Sequence, residues 1–169
     1  NISVDEIQNW LKERNINFNI NLNLKTRSWI KAGGVVKTFI QPNSINQCEE
    51  IIKYFSKKKI DFYVLGNQSN IIIRDGIILT PIINFSILSK LLLDKTSDGL
   101  IITCGSGVSI PRFSKNITQN GFTGAEGILG IPGTVGGGIC MNASSYDSYL
   151  CSFLKKTKLI LRSYFQFEE

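Results

Sequence analysis

The chain has 169 residues, 43% of them hydrophobic and 19% charged, and a formal net charge of +6 at pH 7. This length and composition are typical of one globular domain with its own core, and they argue against a disordered chain. The chain has no histidine and its four cysteines form no C-x-x-C pair, which excludes histidine-dependent triads, zinc sites built from these residues and thioredoxin-like redox motifs.

The N-terminal segment predicts a helix followed by an extended arm. A capping box, S-x-x-E, begins at Ser3 and predicts the start of the helix. Its inner face would hold Val4, Ile7, Trp10 and Leu11. From residue 15 to residue 23, asparagine alternates with apolar residues, which is typical of an extended segment.

The next part of the chain predicts a β-α-β-β arrangement. Residues 35–41 predict a strand that ends before Pro42, and a second capping box, S-x-x-Q, begins at Ser44. The helix that follows would bury Ile45, Cys48, Ile52 and Phe55. Short apolar runs then predict strands at residues 61–65, 71–73 and 77–83.

The second half of the chain predicts a different set of elements. Residues 100–104 predict a strand and residues 105–107 a turn. Ser109 would cap a helix that has Pro111 in its first turn and ends at Gly121. Residues 156–162 predict a last strand. The predicted class is therefore α+β, with two lobes sharing a groove.

Two loops could carry a ligand. Residues 121–138 hold more than half of the chain's 15 glycines, and such a density indicates positive φ angles or a close approach to an anion bound by backbone N–H groups. A close-packed, turn-rich loop is the alternative. Residues 66–70 follow a predicted strand directly and fit a phosphate site or an ordinary Asn/Gly turn equally well.

The common nucleotide-binding motifs are missing. The chain contains no G-x-x-x-x-G-K-[ST], and Gly105 and Gly107 lack the third glycine of G-x-G-x-x-G because Ile110 occupies its place. Two glycine-rich loops of other kinds indicate a dinucleotide held differently, and a cofactor would then supply the chemistry.

Four segments, in order, resemble the FAD-binding domain of the UDP-N-acetylenolpyruvoylglucosamine reductase (UDP-N-acetylmuramate dehydrogenase) family. They are residues 28–34, residues 64–76 with G-N-Q-S-N, residues 105–107, and residues 121–142 with G-I-P-G-T-V-G-G. The similarity covers about residues 24–161. It implies the two-lobed FAD-binding domain of the vanillyl-alcohol-oxidase or PCMH type, with FAD extended between the lobes.

The resemblance also implies boundaries. A helix and arm at residues 1–23 would precede the FAD-binding domain at residues 24–169. The first lobe would span about residues 24–84 and the second about residues 85–169. The family's C-terminal substrate domain would be absent.

The resemblance further implies which residues bind FAD. The pyrophosphate would lie against Gly66, Asn67, Gln68, Ser69 and Asn70. The flavin and ribityl chain would be lined by Gly130, Ile131, Pro132, Gly133, Thr134, Val135, Gly136 and Gly137, with Asn142 nearby. The family usually has glycine where this chain has Gln68, Ser144 and Asp147, of which Asp147 would adopt a left-handed conformation more readily than Ser144.

The activity implied by the resemblance is that of an NADPH-dependent flavoprotein oxidoreductase of peptidoglycan and cell-wall synthesis. NADPH would reduce the flavin, which would pass a hydride to the enolpyruvyl group of UDP-N-acetylglucosamine enolpyruvate to give UDP-N-acetylmuramate. No catalytic residue is assigned, because Arg162 and Tyr164 do not match the family's arrangement. Glu126 is interpreted as a structural hydrogen-bond acceptor.

Two alternatives remain. One is a truncated FAD-binding remnant without catalysis, to which a UDP-sugar would bind only if a C-terminal domain were supplied separately. The other is a basic nucleic-acid-binding domain, which the scattered charges and missing motifs disfavour. No membrane or nucleic-acid partner and no metal site are expected. A cytoplasmic location is expected, because no signal-peptide pattern or long apolar run is seen.

Overall fold

Each α-helix of the computed structural model, which describes residues 2–160, begins at a capping hydroxyl group. The helices are α1 (Val4–Glu13), α2 (Ile45–Lys58), α3 (Ile110–Gln119) and α4 (Val135–Cys140). Ser3, Ser44, Ser109 and Thr134 each accept a hydrogen bond from the backbone N–H three residues later. The three helices predicted from sequence are confirmed. The fourth, α4, was not predicted, because its glycines each disfavour a helix by about 1 kcal/mol relative to alanine.

The first sheet has five strands. They are β1 (Phe18–Asn23), β2 (Val35–Ile40), β3 (Tyr63–Leu65), β4 (Ile77–Ile78) and β5 (Ile82–Asn84). The order is β1-β2-β5-β3, and β4 also pairs with β2. β1 is antiparallel to β2, and the other pairs are parallel. The predicted extended arm is therefore the edge strand of this sheet.

Both faces of the first sheet are packed. Helices α1 and α2 cover one face, where Leu11 and Phe55 pack against Ile40 and Ile83. The opposite face buries Phe39, Leu65 and Ile82, which form one cluster with Leu24 and Val36. Phe39 and Ile40 are neighbours in β2 but belong to different clusters. This is expected because successive side chains of a strand point to opposite faces of the sheet.

The face of α2 differs from its prediction at one position. Ile45, predicted to be buried, is 50% exposed, whereas Ile51 is fully buried. Ile45 is the first residue of the helix, and the stripe that contacts the sheet starts one turn later, at Cys48.

Two strand predictions are wrong. Residues 71–73 form no strand, and Ile72 is 80% exposed. This part of the chain rejoins the sheet only where the N–H of Val35 donates to the carbonyl of Gly76. The predicted strand at residues 77–83 is two strands, because β4 and β5 pair with different parts of β2 and are separated at Pro81, which has no N–H to donate.

A second core lies under the C-terminal half. The hairpin of β6 (Leu91–Thr96) and β7 (Gly99–Cys104) packs with α3 and α4. A small hairpin of β8 (Ser144–Ser145) and β9 (Ser148–Tyr149) follows. We call the buried cluster of Val108, Ile110, Phe113, Ile117, Ala125, Ile128, Val135 and Leu150 the second core. The strand predicted at residues 100–104 is confirmed, and β6 was not predicted.

The last predicted strand lies at the limit of the described chain. Residues 156–160 form neither helix nor strand, and residues 161–162 lie outside the described residues. Within residues 2–160, no helix has both the length and the apolar character needed to cross a membrane.

Candidate functional site

The two glycine-containing loops predicted to bind a ligand touch each other. We call residues 66–70 the first loop and residues 130–137 the second loop. The Ser69 hydroxyl donates a hydrogen bond of 3.1 Å to the carbonyl oxygen of Pro132, across 63 positions of sequence. A Cβ placed on Gly133 would lie 2.9 Å from the same hydroxyl oxygen. The end of β3 and the start of α4 therefore meet at one place.

Asn84 holds the start of the first loop. It lies at the end of β5, is 2% exposed, and its Nδ2 donates to the carbonyl oxygens of Leu65 at 2.8 Å and Gly66 at 2.9 Å. Its Oδ1 accepts hydrogen bonds from the N–H and the hydroxyl of Ser86. Each polar end of this buried amide is thus paired, which fixes the turn that follows β3.

Sequence reasoning missed Asn84. The available signal was a polar residue directly after the apolar run Ile82–Ile83, at the end of a buried strand.

The first loop offers donors to an anion. Within residues 2–160, the backbone N–H groups of residues 67–70 donate no hydrogen bond. Gln68 has a left-handed backbone with a φ of 55°, as in backbone concavities that bind anions. The loop contains no charged side chain, so an anion here would be held by backbone N–H groups and by side-chain amides, since the Ser69 hydroxyl already donates to Pro132.

The second loop is tied to the turn at residues 105–107 and to α3. The N–H of Gly136 donates to the carbonyl of Ser106, and the N–H of Ile110 donates to the carbonyl of Gly133. Thr134 Oγ1 accepts from the N–H of Gly137 at 3.3 Å, which caps α4. Together with the hydrogen bond from the N–H of Val135 to the carbonyl of Val108, these bonds fix the start of α4.

The glycines of the second loop have different reasons to be glycine. A Cβ on Gly136 would lie 2.6 Å from the Cβ of Ser106, so close packing explains that glycine. Gly133 has a φ of 122°. A Cβ on Gly130 would meet no atom within 4 Å. Close packing therefore explains Gly136 and a positive φ explains Gly133, whereas anion binding by this stretch stays a prediction.

The other predicted residues lie at varied depths. Val135 is buried in the second core, whereas Gly130, Pro132 and Gly137 are exposed. Asn142 follows α4, is exposed and has a φ of 44°.

Ser144, Asp147 and Glu126 lie outside the two loops. Asp147 adopts the left-handed conformation expected of it, with a φ of 59°, whereas Ser144 lies in β8. Glu126 accepts a hydrogen bond of 2.7 Å from the N–H of Gly124, in agreement with its predicted structural role.

Two of the four cysteines, Cys48 and Cys104, are poorly suited to act as nucleophiles. Burial raises the pKa of Cys48 from 9.0 to about 11, and burial also raises the pKa of Cys104. Because the thiolate is the reactive form, both side chains are poorly reactive at neutral pH.

A model of a known protein family matches most of the chain. The model described as an FAD binding domain matches residues 36–163. This range contains both loops, Asn84 and the turn at residues 105–107.

Curated relatives are reductases. One, the UDP-N-acetylenolpyruvoylglucosamine reductase of Clostridium kluyveri (strain NBRC 12016), is 34% identical over 140 residues, which are 83% of this chain and 45% of the relative. The reductase of the same name from Lactobacillus helveticus (strain DPC 4571) is 32% identical over 153 residues, which are 90% of this chain and 50% of the relative. The chain therefore spans about half the length of the curated relatives it matches, and the predicted resemblance is confirmed.

Solved structures agree on the fold. The UDP-N-acetylenolpyruvylglucosamine reductase of Thermus caldophilus aligns with 80% of this chain and 46% of its own, with a TM-score of 0.62 and 21% identity. A cholesterol oxidase from B. sterolicum aligns with 78% of this chain and 25% of its own, with a TM-score of 0.59 and 13% identity. At these identities the similarity establishes the fold alone, and the predicted α+β class is confirmed.

Proposed function

Because the chain belongs to the family of FAD binding domains, we propose that it is the FAD-binding portion of an NADPH-dependent UDP-N-acetylenolpyruvoylglucosamine reductase. In this proposal the isoalloxazine, ribityl and pyrophosphate groups lie against the first and second loops, between the first sheet and the second core. The curated relatives with this name support the assignment of the reaction.

One observation carries the proposal: the contact between the two loops. Ser69 donates to the Pro132 carbonyl, and a Cβ on Gly66 or Gly133 would lie only 2.8 Å or 2.9 Å from a side-chain oxygen of the other loop. A dinucleotide is long enough to contact two loops at once, whereas either loop alone would fit a single phosphate. The unpaired N–H groups of residues 67–70 suit a pyrophosphate, because its oxygens accept hydrogen bonds.

The chain's residues would bind and orient the cofactor. Backbone N–H groups and the side-chain amides of Asn67 and Asn70 would donate to the pyrophosphate, while the Ser69 hydroxyl stays bonded to the Pro132 carbonyl. Residues 130–137, with Asn142 nearby, would line the flavin and ribityl side. Asn84 would act indirectly, since it holds the carbonyl groups where the first loop begins.

The bound FAD supplies hydride transfer from NADPH to the enolpyruvyl group of a UDP-sugar. The described residues contribute binding and orientation to this reaction. We propose no proton donor within residues 2–160, so the reduction of UDP-N-acetylglucosamine enolpyruvate to UDP-N-acetylmuramate would need groups supplied by further residues. In peptidoglycan synthesis the reaction would take place in the cytoplasm.

The binding step can be tested directly. The 169-residue chain is purified, incubated with FAD and separated from free FAD by gel filtration. We expect the protein fraction to carry the flavin absorbance band at close to one FAD per chain. A colourless protein fraction would contradict the proposal.

A second measurement separates the enzyme from the non-catalytic alternative. NADPH oxidation is followed with and without UDP-N-acetylglucosamine enolpyruvate, first with the chain alone and then with longer versions of the same gene product. Turnover that appears only with the longer protein supports a cofactor-binding portion of a reductase. Bound FAD without turnover in every version supports the non-catalytic alternative.

A further inference from the structure

Gln68 carries an unpaired polar atom inside the first loop. The residue is 5% exposed, and its Oε1 has no hydrogen-bond partner among residues 2–160. Buried side-chain polar atoms are nearly always paired, because an unpaired one has lost its hydrogen bonds to water. The folded chain without a ligand therefore bears a free-energy cost at this atom.

The backbone of Gln68 bears a second cost. Its φ of 55° lies in the left-handed region, which residues other than glycine seldom adopt. A glycine at this position would remove both costs. A residue that keeps strain and an unpaired buried atom together is typical of a ligand-binding position.

The surroundings of Gln68 point to the cofactor. The next residue, Ser69, contacts Pro132 of the second loop. The neighbouring N–H groups of residues 67–70 are unpaired within residues 2–160 and suit the pyrophosphate. An amide oxygen only accepts hydrogen bonds, and so do phosphate oxygens, so Oε1 needs a different partner. The groups beside the pyrophosphate that can donate are the hydroxyls of the ribityl chain and of the adenosine ribose.

We propose that Gln68 is a specificity-determining contact for the dinucleotide, whose amide oxygen accepts a hydrogen bond from a sugar hydroxyl group next to the pyrophosphate. This inference rests on the proposed function. It assigns to Gln68 a contact that a glycine could not make, so affinity for the cofactor is gained at the expense of the stability of the ligand-free chain.

The test compares two variants of Gln68 with a matched control. Gln68→Met keeps the length of the side chain and removes the amide, and Gln68→Gly removes the whole side chain and the backbone strain. The control is Lys59→Gly, because Lys59 also has a φ of 55° and lies exposed at the end of α2. FAD affinity is measured by fluorescence titration, and the midpoint of thermal unfolding is measured without FAD.

We expect Gln68→Met to raise the Kd for FAD by about 2- to 10-fold, the range for one hydrogen bond, and to raise the unfolding midpoint of the FAD-free protein. Gln68→Gly should also bind FAD more weakly while being more stable. Lys59→Gly should be more stable with an unchanged Kd. An unchanged Kd in Gln68→Met, or a lowered unfolding midpoint, would overturn the inference, because the side chain would then be neutral or structural.

Titrations with FMN and ADP distinguish the two sources of the hydroxyl group. FMN carries the ribityl hydroxyls and ADP carries the ribose hydroxyls. Weaker binding of FMN alone assigns the contact to the ribityl chain, and weaker binding of ADP alone assigns it to the ribose. If Gln68→Met weakens FAD but neither fragment, the assignment to a sugar hydroxyl is overturned. Failure of the unaltered chain to bind FAD would instead refute the proposed function itself.

Discussion

Gly66 and Thr134 face each other so closely that a Cβ on Gly66 would lie 2.8 Å from Thr134 Oγ1. That oxygen accepts the hydrogen bond from Gly137 that caps α4. It therefore cannot move away without leaving the helix uncapped. The end of β3 can lie against the start of α4 because residue 66 is a glycine. The Thr134 hydroxyl occupies the space that a side chain at residue 66 would need.

Replacement of Gly66 by alanine should disturb this contact. We expect Gly66→Ala to lower the free energy of unfolding by about 1–3 kcal/mol and to weaken FAD binding about tenfold or more, because the two loops must separate. Urea unfolding and FAD titration measure the two effects. In the double variant with Thr134→Ala the oxygen is gone, so the two losses should be less than additive. Strict additivity would show that the steric contact is not the cause.

Asn84 offers a test of the support beneath the first loop. Asn84→Ala leaves the buried carbonyl groups of Leu65 and Gly66 without their donor, so it should cost about 2 kcal/mol or more of unfolding free energy. FAD binding should weaken as well, because the loop loses its anchor.

The matched control for Asn84 is Asn116→Ala. Asn116 Nδ2 donates to the carbonyl of Arg112 at an exposed site on α3, so this change should stay within about 0.5 kcal/mol. If Asn84→Ala proves as mild as Asn116→Ala, the anchoring role is wrong.

The loops themselves could be predicted from the sequence, but their contact could not. Glycine density and the polar run after an apolar strand are local patterns. The Ser69–Pro132 hydrogen bond joins residues 63 positions apart and depends on how the first sheet packs beside the second core. The role of Asn84 likewise arises from the sheet order, because β5 lies next to β3 only after folding.

The wrong secondary-structure predictions also have their cause in contacts between distant parts of the chain. The apolar run at residues 71–73 favours a strand locally, but it has no strand to pair with among residues 2–160. Helix α4 forms against local propensity, because Thr134 caps it and Val135 is buried in the second core. Tertiary contacts thus decide both cases.

Cys48 should make the stability of the chain sensitive to alkaline pH. Its pKa is raised from 9.0 to about 11, first by burial and also by the nearby charge of Glu49. The unfolded chain therefore loses this proton at a lower pH than the folded chain. The protonated thiol of Cys48 therefore contributes fully to the free energy of unfolding below about pH 9. This contribution declines as the pH rises towards 11.

Urea unfolding across this pH range checks the prediction for Cys48. Cys48→Ala should show a shallower decline than the unaltered chain, whereas Cys140→Ala, at an exposed position, should show the same decline. Parallel pH profiles for all three proteins would mean that Cys48 does not contribute.

Gly130 and Gly133 provide a test of which glycines serve the ligand. Gly133 has a φ of 122° and would place a Cβ 2.9 Å from Ser69 Oγ, so Gly133→Ala should lower the free energy of unfolding by about 1–3 kcal/mol even without FAD. Gly130 has no neighbour within 4 Å of its Cβ position, so Gly130→Ala should leave the FAD-free chain within about 0.5 kcal/mol. If FAD lies against Gly130, the same change should nevertheless weaken FAD binding several-fold, because the added methyl group occupies space that the cofactor needs. FAD titration and urea unfolding of both variants separate these effects, and unaltered FAD affinity in Gly130→Ala would remove Gly130 from the proposed binding surface.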